Sequence, residues 1–377
     1  MNIGKTASYI LSAVLALSAC ACHTIEEWDD NPRGNFEALW TILDEHYCFF
    51  AEKGIDWNEV HDTYSAKISN NMTSTELFYV CADMLNELRD GHTNLSSSFN
   101  TSYYRKWWSD YPDDYSERLI EQHYLNFNFL STSGIDYAIL PQNIGYMRYS
   151  SFANPVGESN LDQILFYLST CDGLIIDIRN NGGGALTNVE TLVARFITER
   201  SLAGYISHKT GPGHNDFSKP FPFYYEPAAK GRIMWGKPVA ILAGRGTFSA
   251  ANNFVSIMQY IPSVKIVGTT TGGGSGMPFS SELPNGWSVR FSACSILDPK
   301  GQTTEFGIEP SEGCRIGLDP QAAPYWTSPL ECLQASDAQI YHNQKRIYTY
   351  HETISLSADI IIFVYQPYRY CHRHMLV

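Results

Sequence analysis

Ser249 is the residue of this sequence best placed to do chemistry. It lies at residues 245–253 in the stretch Arg-Gly-Thr-Phe-Ser-Ala-Ala-Asn-Asn. A mainly apolar run at 237–242 predicts a buried strand before it, and apolar residues at helical spacing over 254–260 predict a helix after it. A serine at such a turn lies at the positive end of the helix, where free backbone N–H groups can bind a developing oxyanion. Ser249 is therefore either a nucleophile or an ordinary helix N-cap, since serine is a favoured cap.

His92 is the second candidate, in the stretch Leu-Arg-Asp-Gly-His-Thr-Asn-Leu at 88–95. Gly91 predicts the end of a helix, so His92 should lie on the loop that follows it. A histidine with its ordinary pKa is suited to general base work near neutral pH. A single loop histidine can also be a surface residue without a chemical role, and only a partner distinguishes the two interpretations.

A third stretch joins a buried strand to a glycine-rich turn. Gly-Leu-Ile-Ile-Asp-Ile at 173–178 is followed by Arg-Asn-Asn-Gly-Gly-Gly at 179–184. Consecutive glycines let the backbone come close to a ligand with its N–H groups directed at it. The turn does not fit a phosphate-binding loop, because no Gly-Lys-Ser/Thr follows and the glycine spacing differs. We expect Asp177 and Arg179 to pair and to shape this turn.

The elements around these stretches predict an α/β fold. Strands and helices alternate along the middle of the chain, as in folds built on a mostly parallel sheet. We expect strands at 143–149, 173–178, 237–242, 264–267 and 286–292, and helices at 160–167, 187–198 and 249–260. Residues 36–95 have helical periodicity, and an alternating pattern over 120–129 suggests further strands.

Residues 1–19 predict a signal peptide, with Lys5 ahead of an apolar run too short to span a membrane comfortably. The run ends in Leu-Ser-Ala-Cys at 17–20, which resembles the bacterial lipoprotein box and makes Cys20 the expected lipidation site. A plain signal peptide, cleaved after an Ala-x-Ala-like site, is the alternative. Residues 20–34 would form an acidic tether, and the lipid would anchor the protein in the cell envelope of a Gram-negative bacterium, facing the periplasm or the outer surface.

The composition argues against several classes of partner. A formal net charge of −13 disfavours nucleic acid and anionic lipid headgroups, so membrane attachment would rest on the lipid alone. The sequence has no Cys-x-x-Cys pair and no His/Cys cluster with zinc spacing. Cys371, His372 and His374 are close together but lie at the C-terminus, where such groups are rarely ligands. We expect no metal and no organic cofactor.

Five motifs, in order, resemble the C-terminal-processing (tail-specific) and tricorn-type serine proteases. They are Asp-Gly-His-Thr at 90–93, the strand and glycine turn at 173–184, Thr-Phe-Ser-Ala-Ala at 247–251, Ile-Val-Gly-Thr-Thr-Thr-Gly-Gly at 266–273 and Phe-Gly-Ile-Glu-Pro at 306–310. The resemblance implies a crotonase-like core of ββα units with a small helical N-terminal subdomain. It divides the chain into a helical subdomain at 35–95, a protease core at 96–335 and an unassigned tail at 336–377.

The same resemblance implies that Ser249 is the nucleophile of a serine peptidase, with the backbone N–H groups of Gly183 and Ala250 as its oxyanion hole. The processing proteases activate their serine with a lysine. Here the matching position is Gly274, and the nearby Lys265 lies inside a predicted strand. The lysine of that branch is therefore missing.

The tricorn-type branch offers another base. It uses a histidine where this chain has His92, so the resemblance implies that His92 is the general base. A histidine base is usually oriented by a third group. The tricorn branch has a glutamate at the position of Glu305, and Asp90 is the competing candidate. That branch also has a serine immediately before its histidine, where this chain has Gly91.

The PDZ module of the processing proteases is missing, because residues 96–143 are too few for a separate domain. A polypeptide substrate would then reach the site without a PDZ groove, and the aromatic stretch at 103–115 either lines the cleft or packs as a surface loop. We expect a serine peptidase. The alternative is a catalytically inactive peptide-binding or scaffold protein on the same fold, which the missing lysine and Gly91 favour.

Overall fold

The computed structural model describes residues 28–112 and 115–315, whose strands form two sheets. The strands are β1 (Asn94–Ser96), β2 (Leu130–Thr132), β3 (Ile135–Leu140), β4 (Ile144–Tyr149), β5 (Gly173–Asp177), β6 (Ser201–Ser207), β7 (Phe221–Tyr225), β8 (Val239–Ala243), β9 (Val264–Gly268), β10 (Gly276–Glu282) and β11 (Ser288–Leu297). The first sheet has the order β2-β3-β4-β5-β8-β9. The second has the order β1-β11-β6-β7, and β10 also pairs with β11.

The helices cluster at the N-terminus and between the strands of the first sheet. They are α1 (Pro32–His46), α2 (Phe50–Lys53), α3 (Trp57–Ser65), α4 (Ser74–Asn86), α5 (Lys106–Ser109), α6 (Glu117–Leu119), α7 (Glu158–Tyr167), α8 (Leu186–Val193) and α9 (Ala250–Met258). A π-helical turn at Ile120–Tyr124 and a 3-10 turn at Pro141–Asn143 complete the helical elements of the described chain.

The centre of the first sheet is parallel, and this determines where the functional loops lie. β4 pairs with β5, β5 with β8 and β8 with β9, all in parallel. Every residue of β5 and β8 is buried, which explains their continuous apolar sequences. Parallel strands end at the same edge, so the glycine turn after β5 and the Ser249 loop after β8 come together there.

The N-terminal helices pack on the second sheet. Asn31 caps α1 by accepting a hydrogen bond from the Gly34 N–H, and Thr73 and Glu76 form a capping box at α4. The apolar faces of these helices share one hydrophobic cluster with residues of β11 such as Phe291. A separate cluster holds the first sheet against α7, α8 and α9. The site described below lies where these two halves meet.

The α/β fold class is confirmed, and so are the five strands and three helices expected around the motifs. The strands expected over 120–129 are wrong. Residues 117–124 are helical because Ser116 caps the turn, while Ile120 and Leu125 are buried in a cluster with residues of the first sheet. Helix α1 begins at Pro32, so the last residues of the range predicted for the acidic tether are helical, and residues 20–27 of that range lie outside the described residues.

Several predictions fall on residues that the structure does not describe. The signal peptide, Cys20 and the tail at 336–377 all lie outside the described residues, as do Cys371, His372 and His374. Within the described part of the chain, none of the helices combines the length and apolar character needed to cross a membrane.

Candidate active site

Ser249 precedes the first residue of α9, but it does not act as an ordinary cap. Its backbone has φ 57° and ψ −122°, and its side chain makes no capping hydrogen bond. Non-glycine residues rarely adopt a positive φ, and where they do the surrounding structure must hold them there. Ser249 occupies the N-cap position, but its side chain does not cap the helix.

Three hydrogen bonds hold the loop around Ser249. The Thr247 hydroxyl donates to the carbonyl of Ile178 at 2.8 Å. The Phe248 N–H donates to the carbonyl of Asn181 at 3.1 Å, and the Ser249 N–H to the carbonyl of Gly273 at 2.9 Å. These bonds connect the serine loop to the glycine turn after β5 on one side and to the loop before β10 on the other. The strained conformation is thus fixed by neighbours on both sides.

His92 lies next to Ser249 although the two are 157 positions apart in sequence, and its Nε2 is 2.9 Å from the serine Oγ. The loop that carries His92 connects α4 to β1. Pairing of β1 with β11 places Asn94 opposite Arg290, whose Nη1 donates to the His92 carbonyl at 3.4 Å. Asp90 Oδ1 accepts from the His92 N–H at 2.8 Å. This geometry is that of a nucleophile within hydrogen-bond reach of a base.

The imidazole of His92 is 3% exposed, and burial lowers its pKa to about 4. The positive charges of Arg290 and Lys53 act in the same direction, while Asp90 opposes them. At pH 7 the ring is therefore neutral, so Nε2 can accept the hydrogen bond of the serine hydroxyl. The ordinary pKa near 6.5 expected from sequence does not hold, because the ring is buried.

Two buried carboxyl groups, Asp90 and Glu305, lie behind this pair, and neither bonds to the free ring nitrogen. Glu305 Oε1 is 2.8 Å from Lys53 Nζ, and its Oε2 accepts from the Ser275 N–H at 2.8 Å. Among the described residues, His92 Nδ1 and Asp90 Oδ2 have no hydrogen-bond partner. The structure brings Glu305 to the site but holds it with Lys53 rather than with the imidazole.

The two carboxyl groups differ in how easily they ionise. Burial, followed by repulsion from Asp90, raises the pKa of Glu305 to about 7, although Lys53 and the Ser275 N–H oppose this. Burial would also raise the pKa of Asp90, but Lys53, His92 and the bond from the His92 N–H outweigh it and hold that pKa below its ordinary value. Asp90 is the carboxylate that stays charged at neutral pH.

The two expected oxyanion donors are both close to Ser249 but differ in availability. A Cβ built on Gly183 would lie 2.7 Å from the Ser249 Cβ and 2.9 Å from the Ala250 nitrogen, so the glycine turn touches Ser249. The Gly183 N–H, however, donates to Asn181 Oδ1 at 3.0 Å. Within the described residues the Ala250 N–H has no acceptor. Asp177 and Arg179 form the expected ion pair behind this turn, with Arg179 Nε donating to Asp177 Oδ1 at 2.9 Å.

Gly274 and Gly91 stand where the proteases that this sequence resembles have a lysine and a serine, and neither position has room for a side chain. A Cβ on Gly274 would lie 2.4 Å from the ring of Phe248, and its φ of 76° disfavours any side chain. A Cβ on Gly91 would lie 2.6 Å from Trp107 Nε1 and 2.9 Å from Phe248. Trp107 stacks on Phe248 with ring centroids 4.1 Å apart, and Phe248 lies 4.7 Å from the His92 ring. Aromatic rings thus fill the space that a lysine or serine would need.

Three cavities surround the pair. The one beside Ser249 has about 110 Å³ and is lined by Leu186, Met277, Pro278 and Ile296 among others, with no charged side chain. A second of about 410 Å³ reaches Gly91, Lys53 and Glu305. A third of about 600 Å³ is lined by aromatic residues that include Trp107 and Tyr111. The aromatic stretch at 103–115 therefore lines the cleft where the structure describes it.

Sequence reasoning missed Lys53 and the stacking of Trp107 on Phe248 beside His92. Lys53 is an ordinary-looking lysine at the end of a short helix, and no local pattern marks its burial. Lys265, by contrast, lies in β9 as expected and is half-buried. Among residues 28–112 and 115–315, no three His, Cys, Asp or Glu side chains are grouped so that they could hold a metal ion.

Comparison with known proteins connects this geometry to one family. Residues 143–312 match the family described as peptidase family S41, and residues 29–86 match the tricorn protease C1 domain. A crystal structure of a candidate peptidase from Parabacteroides merdae ATCC 43184 is 42% identical and aligns with a TM-score of 0.73, over 87% of this chain and 100% of that one. Mature CPAF, at 13% identity and a TM-score of 0.59 over 87% of this chain and 99% of its own, shows the fold alone.

Two curated relatives are similar over part of their length. The chloroplastic C-terminal processing peptidase of Tetradesmus obliquus is 28% identical over 204 residues, which cover 52% of this chain and 40% of the relative. The carboxy-terminal processing protease CtpB of Bacillus subtilis (strain 168) is 23% identical over 171 residues, covering 45% of this chain and 33% of the relative. The chain thus spans well under half the length of these two relatives.

Proposed function

The chain belongs to peptidase family S41, and from this we propose that it hydrolyses peptide bonds by acyl transfer through Ser249, with His92 as the general base. The observation that supports this most is the 2.9 Å contact between Ser249 Oγ and His92 Nε2. It joins a strained serine at a helix N-terminus to a buried, neutral imidazole. The proposed substrate is a polypeptide.

In the proposed reaction, His92 Nε2 takes the hydroxyl proton while Ser249 Oγ attacks the carbonyl carbon of the scissile bond. When the tetrahedral intermediate collapses, Nε2 gives the proton to the departing amine, and the acyl group stays on Oγ. A water molecule then attacks the acyl carbon with His92 again as base. The carboxylic acid product leaves, and Ser249 regains its proton.

The positive charge that His92 gains in each step needs a counter-charge. Asp90 is the candidate, because it is ionised, 1% exposed and bonded to the backbone of His92 itself. The resemblance to tricorn-type proteases favours Glu305 as the third group. In this structure Glu305 is bonded to Lys53, so it would act on the imidazole by electrostatic interaction and not through a hydrogen bond to the ring. The role of third group is thus divided between the two carboxyl groups in this proposal.

The oxyanion would form beside the Ala250 N–H, which is the donor without an acceptor in the described structure. A second donor from Gly183 requires its N–H to leave Asn181 Oδ1 when substrate binds. Each well-placed donor lowers the barrier by about 3 kcal/mol. Ala250 alone would therefore support catalysis, and Gly183 would add to it after a small movement of the turn.

The cavity beside Ser249 limits the side chain that can enter next to the scissile bond. Its volume of about 110 Å³ is the smallest of the three cavities described above. Its walls combine apolar side chains with hydroxyl and amide groups, and they carry no charge. The proposed preference is for a small or medium uncharged side chain, with lysine, arginine and the acidic residues excluded.

The rival function is a non-catalytic peptide-binding module on the same fold. A serine-reactive fluorophosphonate probe separates the two, because it reports an activated serine before any substrate is known. Labelling of the wild type that disappears in Ser249→Ala supports the peptidase. Absence of labelling in folded wild-type protein supports the binding module. Digestion of a peptide library by unlabelled wild-type protein, with Ser249→Ala as the control, then shows whether peptide bonds are the target.

We also propose that lipid on Cys20 anchors the mature protein in the cell envelope of a Gram-negative bacterium. The motif at 17–20 and the short apolar run before it support this. Expression of Cys20→Ser beside the wild type, followed by membrane fractionation, tests it. Release of the variant into the soluble fraction is expected, and unchanged fractionation would contradict the proposal.

A further inference from the structure

Lys53 connects the N-terminal helices to the candidate active site. It is the last residue of α2, yet its side chain is 4% exposed, and lysines are almost never buried without a partner. Its Nζ lies 2.8 Å from Glu305 Oε1 and donates to the carbonyl of Arg89 at 3.1 Å. Arg89 in turn donates to the carbonyl of Lys53 at 2.7 Å. The helical part of the chain thus supplies a buried cation behind the base.

We propose that Lys53 is a positioning residue of the active site, which holds the Glu305 carboxyl group beside Asp90 and sets the charge that His92 meets when it takes the proton of Ser249. The inference rests on the proposed function, because it uses Ser249 as nucleophile and His92 as base. Lys53 acts through the two carboxyl groups and touches neither the substrate nor the reacting atoms.

The charges explain why a cation is needed here. Two buried carboxyl groups repel each other, and without a nearby positive charge one of them would bind a proton. Lys53 attracts both Asp90 and Glu305. Above the raised pKa of Glu305, where all three groups are charged, the cluster carries one net negative charge, which matches the single positive charge that the imidazole acquires. Without Lys53 the two carboxylates, if both ionised, would carry two negative charges opposite one imidazolium, and with Lys53 the charges balance.

Backbone hydrogen bonds also connect Glu305 to Ser249 through residues 273–275. Its carbonyl accepts from the Gly274 N–H at 3.2 Å, and its side chain accepts from the Ser275 N–H at 2.8 Å. The adjacent Gly273 carbonyl accepts from the Ser249 N–H at 2.9 Å. Release of Glu305 from Lys53 would therefore disturb the segment that holds the strained serine. Lys53 influences the base through charge and the nucleophile through this segment.

The test measures the second-order rate of fluorophosphonate labelling of the full chain between pH 3.5 and 9. The charged groups that act on His92 are Asp90 on its own loop, Lys53 on α2 and Arg290 on β11, with Glu305 beyond Asp90. Lys53→Met should lower the rate at pH 7 by about tenfold or more, which corresponds to about 1.4 kcal/mol, because the released Glu305 no longer holds the segment that fixes Ser249. It should also move the pH midpoint upward, because a positive charge that disfavours the imidazolium is gone.

Three further variants make the result specific. Lys53→Arg keeps the charge and should keep the wild-type midpoint. Lys67→Met removes an exposed lysine just after α3 and should change neither rate nor midpoint. Lys53→Gln keeps a hydrogen-bond donor without the charge and should reproduce the shifted midpoint, which preserves the test if Lys53→Met fails to fold. A lower rate with an unchanged midpoint in both uncharged variants would show a purely structural lysine and overturn the inference.

A double variant tests whether Lys53 acts through Glu305. In a Glu305→Gln background, Lys53→Met should lower the rate by no more than about twofold, since its partner is already neutral. Fully additive losses would overturn the inference. If the wild type is not labelled at all, the proposed function fails. If it is labelled and Lys53→Met behaves like Lys67→Met, only the inference about Lys53 fails.

Discussion

The two sides of the candidate active site are built in different ways. The nucleophile side, named for the proposed role of Ser249, consists of β8, the Ser249 loop and α9, and an apolar core and backbone hydrogen bonds hold it. The base side, named for the proposed role of His92, consists of His92, Asp90, Glu305 and Lys53, whose side chains are all buried, with several polar atoms that have no partner among the described residues. The first is fixed by many short-range contacts, and the second by a few charges.

This difference predicts different sensitivities. A loop held mainly by backbone hydrogen bonds and an apolar core should respond little to pH. A cluster of four buried ionisable groups should respond strongly to pH and to the removal of one charge, because an unpaired buried charge is costly. The base side is therefore where substitution and pH should have their clearest effects.

The largest effect is expected for His92→Ala. If His92 is the general base, as proposed, its loss should lower turnover and probe labelling at pH 7 by about 10² to 10⁴ fold, since Ser249 then has no group to take its proton. Wild-type activity should rise with pH through one ionisation near the lowered pKa of His92, about 4, rather than near 6.5. The pH dependence of labelling between 3.5 and 8 measures both.

Lys265→Ala is the matched control for this assignment. Lys265 is the lysine nearest in sequence to the position at which the processing proteases place their base, and it lies half-buried in β9. We expect it to keep most of the labelling rate. If Lys265→Ala abolished labelling while His92→Ala did not, Lys265 rather than His92 would be the general base.

The nucleophile side was readable from sequence because its information is local. A buried strand, a serine and an amphipathic helix follow one another directly, and the parallel sheet brings the glycine turn after β5 beside them. The base side depends on partners far apart in the chain. His92 could be identified only through a family resemblance, and no local pattern indicated that Lys53 would be buried against Glu305. The aromatic filling around Phe248 was missed for the same reason.

A smaller effect is expected where the two sides touch, at Gly91. A Cβ there would lie 2.6 Å from Trp107 Nε1 and 2.9 Å from Phe248, so Gly91→Ala should push Trp107 off the Phe248 ring. Overpacking of this kind costs about 1–3 kcal/mol in the free energy of unfolding. The labelling rate should fall as well, because Phe248 supports the His92 ring. Urea unfolding followed by tryptophan fluorescence measures the stability.

Gly236→Ala is the control for that experiment. A Cβ on Gly236 would meet nothing within 4 Å, and its φ is not in the left-handed region. It should leave both stability and labelling close to those of the wild type. A Gly91→Ala protein as stable and as active as Gly236→Ala would mean that the aromatic packing against the loop is loose, and that the base is not held by it.

The smallest effect is expected for the pH dependence of the free energy of unfolding of the wild type, to which His92 and Glu305 contribute. The pKa of His92 falls from 6.5 to about 4 on folding, so the unfolded chain binds more protons between those values and stability is lost as the pH drops from 6.5 to 4. The pKa of Glu305 rises from 4.5 to about 7, so the folded chain binds more protons there and stability is lost as the pH rises from 4.5 to 7.

Between pH 4.5 and 6.5 these two contributions have opposite signs and should nearly cancel. Each can reach about 1.4 kcal/mol per pH unit, so removal of one group should expose the other. Glu305→Gln should become less stable as the pH falls through this window, and His92→Gln less stable as the pH rises through it. Urea unfolding at pH 4.5, 5.5 and 6.5 measures the slopes. Parallel curves for the two variants would show that His92 and Glu305 do not titrate as described. Packing, and not charge, would then hold the base side together.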